Sequence, residues 1–345
     1  MSKVKLQDIA IKAGVSMMTV SRVMNNDPKV GAKTREKVSK IANEMHYKPN
    51  IAARHLASSR SYFIGLVCEY ANYSYVSKFL VGALRKCRTS GYHIILDEAT
   101  SHREKTIATI KDLIYVTKVD GLILLPPISN IPEVVDLLVS ENIDFVRIAP
   151  DINLTASHYI CIDDYQAAFE VTEKLILNGH KRIAHIIGSP SQGASRMRYQ
   201  GYLDALRSNQ LMIPPEYIEQ GDFTYKSGLD AAKRLLELTN KPDAIFAAND
   251  EMAAAVVSVA HMKHLDVPED VSIVGFDDTE LATTIWPNIS TVTQPLEEMA
   301  ELAIDILTTP KTPSPPKKPK MSSMRHVLEY QLQLRDSSKN NVNLT

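Results

Sequence analysis

The sequence predicts a small all-α headpiece followed by an α/β body of two doubly wound parallel-sheet subdomains. Three observations predict it. The first 60 of the 345 residues read as short amphipathic helices without a strand-like run. From Tyr62 onward, short apolar runs alternate with helical patterns. The charge divides at the same place. Residues 1–60 hold eight Lys and four Arg against two Asp and two Glu, a net +8, so the remainder carries −9 of the total −1. A basic module on an acidic body is a pattern that a partner must explain.

Composition sets the outer bounds. Apolar residues make up 44% and charged residues 23%, as in globular proteins with ordinary cores. A chain of 345 residues holds two or three domains. No run approaches the ~18 consecutive apolar residues of a membrane span. Met1-Ser2-Lys3-Val4-Lys5 lacks the apolar core of a signal peptide, which points to the cytoplasm. The three cysteines, Cys68, Cys87 and Cys161, are scattered and odd in number. They fit a reducing compartment and argue against a disulfide framework or a zinc knuckle.

In the headpiece, helix-like segments run over Leu6–Ala13, Met17–Asn25 and Ala32–His46. Gly14 and the Asn25-Asn26-Asp27-Pro28 cluster separate them. The first two segments fit a helix-turn-helix. A small residue, Ala10, permits the close crossing, and Gly14 tolerates the positive φ of the turn. Ser16 is placed to cap the second helix, and Val20 and Val23 to bury one face. Met17, Met18, Ser21, Arg22 and Asn25 then point outward, where such a helix meets the major groove. A turn at Tyr47-Lys48-Pro49-Asn50, an Ala-rich segment Ile51–Ala57 and a linker Ser58–Ser61 follow.

In the body, buried strands are expected at Phe63–Cys68, His93–Leu96, Gly121–Leu125, Phe145–Ile148, Arg182–Ile187, Ala244–Ala248 and Val271–Gly275. Helical patterns lie at Val76–Cys87, Ala167–Leu177, Arg198–Ser208, Ser227–Leu238 and Met252–Lys263. A break at Ile162-Asp163-Asp164 divides the region into halves of similar size. Residues 310–320, with five Pro and four Lys, read as an extended, solvated connector. The alternating segment His326–Leu332 reads as a late strand, and the polar residues after Asp336 as a frayed tail.

The run Asp8–Asn25, the element Lys33–Val38 and the segment Tyr47–Ala57 closely resemble the lactose-repressor/galactose-repressor family of bacterial transcription regulators. Further matches are 178–184 (NGHKRIA), 248–253 (ANDEMA), 267–278 (VPEDVSIVGFDD) and 287–292 (PNISTV). The resemblance covers essentially the whole chain. It implies DNA contacts from Ser16, Met17, Met18, Thr19, Ser21, Arg22, Asn25, Thr34 and Tyr47, and from a hinge helix at about 50–58 carrying Asn50, Ala53, Leu56 and Ala57. Leu56 matches the family leucine that wedges into a base step and kinks the duplex. The chain departs from the family at Met17 and Met18, whose thioethers hydrogen-bond base edges poorly but pack against thymine methyls. Arg22 is then the candidate for a bidentate guanine contact.

The body, like the family's core, resembles periplasmic sugar-binding proteins. The resemblance implies an effector cleft between the lobes, at the carboxyl ends of the strands. Carried over by position, Arg198, Asn249, Asp277 and Phe223 contact the ligand, with Tyr73, Tyr75 and Asp163 as weaker candidates. The expected division is 1–60 as headpiece, 61–162 with about 292–325 as N-terminal subdomain, 163–291 with about 326–336 as C-terminal subdomain, and 337–345 as tail. A homodimer bound to a near-palindromic operator and released by a sugar-type effector follows, with no cofactor, no metal and no membrane contact. A corepressor or a phosphocarrier partner reverses or replaces that signal in some relatives. A solute-binding protein is the competing binding module, but it lacks a DNA-reading headpiece. An enzyme is disfavoured: Gly188–Gly193 lacks dinucleotide-loop spacing, and the ten His form no HExxH pattern.

Overall fold

The computed structural model describes residues 4–24, 27, 29–45, 47, 60–69, 73–99, 102–309 and 324–339. The chain divides into two compact units, Met1–Ser61 and Tyr62–Thr345. Helices α1 (Leu6–Ala13), α2 (Met17–Met24) and α3 (Ala32–Glu44) form the described part of the first unit. They enclose a small core of Ile9, Ala10, Ala13, Val20, Val23, Val38 and Ala42. α1 stops at Gly14, whose φ of 64° lets Val15 N–H donate back to the Ala10 carbonyl. A side chain there would meet no neighbour, so the turn demands glycine for its backbone angle rather than for space. Ser16 Oγ accepts from Thr19 N–H at 3.1 Å and starts α2.

The second unit has two lobes. The N-terminal lobe is built on β1 (Phe63–Cys68), β2 (His93–Glu98), β3 (Gly121–Leu124), β4 (Phe145–Ile148), β5 (His158–Cys161) and β11 (Arg325–Val327). They form one sheet in the order β11-β5-β4-β3-β1-β2, parallel at every described pairing. Helices α4 (Tyr73–Ser90), α5 (Arg103–Asp112), α6 (Pro132–Ser140) and α12 (Leu296–Thr308) belong to this lobe. α12 lies tight on α4, where Gly82 leaves room for the Glu297 backbone.

The C-terminal lobe carries β6 (Ile183–Ile187), β7 (Ile218–Gln220), β8 (Ala244–Ala247) and β9 (Ser272–Val274), in the parallel order β7-β6-β8-β9. Its helices are α7 (Asp164–Leu177), α8 (Gly193–Ser208), α9 (Tyr225–Glu237), α10 (Asp250–Met262) and the short α11 (Leu281–Thr284). β10 (Thr291–Thr293) and β12 (Gln331–Gln333) pair antiparallel where the chain passes between lobes. The apolar strand cores explain the architecture: β3, β4 and β8 are buried at every residue, as sheets covered on both faces require.

Two expectations need correction. The strand read over His326–Leu332 is two strands in different sheets. His326 pairs with Ile160 on the N-terminal lobe, and Leu332 pairs with Val292 in the β10–β12 ribbon. Alternation alone carries no mark of the change of partner between them. The residues just after Asp336 are also not frayed. Ser337 is buried, its Oγ donating to the Ile273 carbonyl at 2.6 Å and accepting from Ser290 N–H at 2.8 Å. A polar side chain is stable there because edge backbone groups need partners. Residues 310–320 and 340–345 lie outside the described residues. Among the described residues no helix is long and apolar enough to cross a membrane.

Candidate functional site

A cleft opens between the two lobes at the carboxyl ends of their strands. Tyr75 from the first turn of α4 lines one side, and Asp164, Arg198, Phe223, Asp277 and Gln294 line it from α7, α8 and the strand-end loops. Arg198 organises the floor. Its Nε donates to Asp164 Oδ1 at 2.8 Å, its Nη1 donates to the Ala248 carbonyl at 2.6 Å, and Asp277 Oδ1 lies 3.8 Å from Nη1. Phe276 sits beneath the guanidinium, 3.5 Å from Cζ to ring centroid. Among the described residues Nη2 makes no hydrogen bond, so its two N–H groups are available to a ligand oxygen.

Asp277 stands at φ 106°, a costly angle for a side chain with Cβ. Its surroundings hold it there: Gln294 Nε2 donates to Asp277 Oδ1 at 2.6 Å, and Asp277 N–H donates to the Val292 carbonyl at 2.9 Å. Behind it, buried Asp250 accepts from Thr279 N–H at 2.7 Å and from Thr291 Oγ1 at 2.6 Å. Burial, then the charge of Asp277, pushes the Asp250 carboxyl up to about 8. Burial, then the same Asp277 charge, also raises the Tyr75 phenol. Phe223, at φ 71°, lies against Gly188 so closely that any Cβ at 188 would overlap the ring.

The remaining ligand candidates sit elsewhere. Asn249 is fully buried behind the wall. It caps α10 by accepting from Met252 N–H at 3.0 Å, and its Nδ2 donates to the Phe223 carbonyl at 2.9 Å. It positions Phe223 rather than lining the cleft. Asp163 caps α7 and lines an adjoining cavity with Tyr165, Met197 and Arg325. Tyr73 is 69% exposed and lines neither cavity. Further polar residues line the wall outside the expected set, Glu69, Asp164, Ser189, Gln192, Asp222 and Gln294, with Gly188 as the space-maker. Asp164 adjoins Asp163 in the sequence, whereas nothing local marks Glu69 or Gln294.

Among the described residues, polar contacts join the lobes around this cleft. Arg196 on α8 is paired with Asp151, Ser74 Oγ donates to Glu251 Oε1 at 2.8 Å, and Lys78 Nζ donates to the Asp278 carbonyl at 2.8 Å. Among the described residues no group of His, Cys, Asp and Glu is arranged to hold a metal ion.

In the headpiece unit Met17 and Met18 are 57% and 64% exposed at the start of α2. Arg22, one turn on, is exposed, with Nε 3.7 Å from Asp27 Oδ2. Ser21 is half-buried, and Thr19 bonds to the capping Ser16 through Oγ1 at 2.9 Å. Thr34 occupies the first turn of α3, and Tyr47 packs against the core. Asn25, Asn50, Ala53, Leu56 and Ala57, and with them the hinge helix, lie outside the described residues.

Comparison with known proteins adds an independent line. The description "Bacterial regulatory proteins, lacI family" matches residues 5–50, and "Periplasmic binding protein-like domain" matches residues 172–338. Catabolite control protein A of Priestia megaterium is 34% identical over 307 residues, 88% of this chain and 92% of its own length. A solved complex of the transcriptional regulator CelR with cellobiose is 29% identical with a TM-score of 0.70, over 97% of this chain and 100% of that one. The lac repressor dimer bound to operator and the anti-inducer ONPF is 26% identical with a TM-score of 0.74, over 98% of this chain and 99% of that one.

Proposed function

The chain belongs to the lacI family of bacterial regulatory proteins, and from that premise we infer that it represses carbohydrate-utilisation genes until a sugar-type effector occupies the cleft at Arg198. The observation that carries the effector half is the uncommitted edge of Arg198. Arg198 lines the cavity with two N–H donors that bond to no described residue, and the other lining residues supply carboxylate acceptors, amides and the Phe223 ring. Planar donors, acceptors and an aromatic face are what a ring of hydroxyls requires. The DNA half rests on the +8 headpiece with its exposed α2 face.

The regulator works as a cytoplasmic homodimer on a near-palindromic operator, each headpiece reading one half-site. The effector acts by differential affinity for two arrangements of the lobes, and the Arg196–Asp151, Ser74–Glu251 and Lys78–Asp278 contacts are what such a change makes or breaks. The cleft binds without turnover. The test couples two measurements on the full chain: a thermal-shift screen of sugars, then anisotropy of labelled DNA from its neighbouring promoters with and without the stabilising sugar. A sugar that raises Tm and lowers DNA affinity is the expected result. A sugar that binds while DNA affinity stays constant overturns the regulatory reading, and recovery of the sugar chemically altered overturns the absence of catalysis.

A further inference from the structure

The cleft is electrostatically lopsided. Glu69, Asp164, Asp222 and Asp277 line it, and Arg198 is the sole cation among its described lining residues. That cation is already matched: Asp164 holds Nε at 2.8 Å and Asp277 stands 3.8 Å from Nη1. Its Nη2 therefore offers hydrogen bonds without surplus positive charge. Asp222 is committed as well, accepting from Thr224 N–H at 2.9 Å and Thr224 Oγ1 at 2.6 Å.

Glu69 differs from the other three. It follows β1 directly on the N-terminal lobe, is half-buried, and has neither hydrogen bond nor ion pair among the described residues. Burial, then the charge of Glu98, raises its pKa, the condition of a carboxylate short of donors. A ligand hydroxyl or ammonium would supply one. A phosphate or carboxylate would add negative charge to a half-desolvated wall that has no free cation to receive it.

We infer that the cleft is built for an unphosphorylated sugar whose hydroxyl or ammonium group donates to Glu69, and that it excludes sugar phosphates and sugar acids. This rests on the sugar-effector reading given above. Glu69 is the specificity-determining residue: Arg198 takes the acceptor side of the ligand, and Glu69 takes the donor side from the opposite lobe.

The experiment is a thermal-shift series on the full chain with three arms at equal concentration: the common aldoses and disaccharides, their amino counterparts, and their phosphate esters. Each stabilising compound is then titrated by calorimetry against wild type and Glu69→Gln. The expected outcome is stabilisation from the neutral or the amino arm, none from the esters, and at least a tenfold affinity loss in Glu69→Gln at unchanged Tm of the free protein. Stabilisation in the neutral arm alone assigns a hydroxyl to Glu69, and in the amino arm alone an ammonium. A phosphate ester that binds best, or a Gln variant that binds as wild type does, overturns the inference while leaving the sugar reading intact. Silence from all three arms overturns the sugar reading itself.

Discussion

Arg198 rests over Phe276, with Cζ 3.5 Å from the ring centroid, and both are buried under the cleft. Stacking, the Asp164 bond and the ligand-facing edge all depend on a planar, forked cation. Arg198→Lys keeps the charge and so avoids stranding Asp164, but it loses the fork. Effector affinity should fall at least tenfold, read by calorimetry, with DNA affinity in the absence of effector within about twofold of wild type. A Lys variant that binds effector normally would place the site elsewhere.

Gly188 is the space in which Phe223 lies. A methyl at 188 overlaps the ring, so Gly188→Ala must displace Phe223 from the cleft wall. Overpacking of this kind costs about 1–3 kcal/mol, and the displaced ring also costs effector affinity. Calorimetry should show weaker effector binding with a lower Tm. A lower Tm at full affinity would mean that Phe223 contributes nothing to recognition.

His185 sets a pH dependence of stability. It is buried against Tyr202 and Phe246, and its Nδ1–H donates to the Phe246 carbonyl at 2.8 Å. Burial pushes its pKa down to about 3, below the ~6.5 of an unfolded histidine. The unfolded chain therefore binds the extra proton first. This stabilising contribution is complete above pH ~6.5 and is lost as pH falls toward 3, by up to ~1.4 kcal/mol per pH unit. Tm should drop by several degrees between pH 6.5 and 5, and His185→Phe should flatten that interval. Equal slopes in both proteins would remove His185 as the cause.

The +8 of residues 1–60 makes DNA affinity a salt-dependent quantity. Raising salt from ~50 to ~200 mM should weaken operator binding by roughly 10³-fold if six or more phosphates are contacted. A flat response in anisotropy would mean that the headpiece is not the DNA-binding surface.

Much of this was legible in the sequence because its signals are local. Phe63–Cys68 and Phe145–Ile148 coincide with β1 and β4 at both ends, since a continuous apolar run between polar residues announces a buried parallel strand. The strands β5, β7 and β10 carry no such signal: each has three or four residues and is fixed by its neighbours rather than by its own pattern. The cleft divides in the same way. Arg198, Phe223 and Asp277, which carry motif matches, and Tyr75, which follows the first strand without one, all line the cleft. Glu69 and Gln294 reach the cleft through a strand end and a lobe crossing, which only the folded chain brings together. Asn249 carried a motif match yet faces away from the cavity, because capping α10 and holding the Phe223 carbonyl consume its amide.

The position of β11 at one edge of the N-terminal sheet has a consequence for biosynthesis. The first strands of that lobe leave the ribosome early, yet the Arg325–Val327 strand that pairs with β5, and α12 that covers α4, emerge only after β6 to β9 of the C-terminal lobe have been translated. During that interval β5 presents an unpaired edge and α4 an uncovered apolar face. The lobe begun first therefore waits for strands made after most of the other lobe, and its apolar surfaces stay uncovered through that interval.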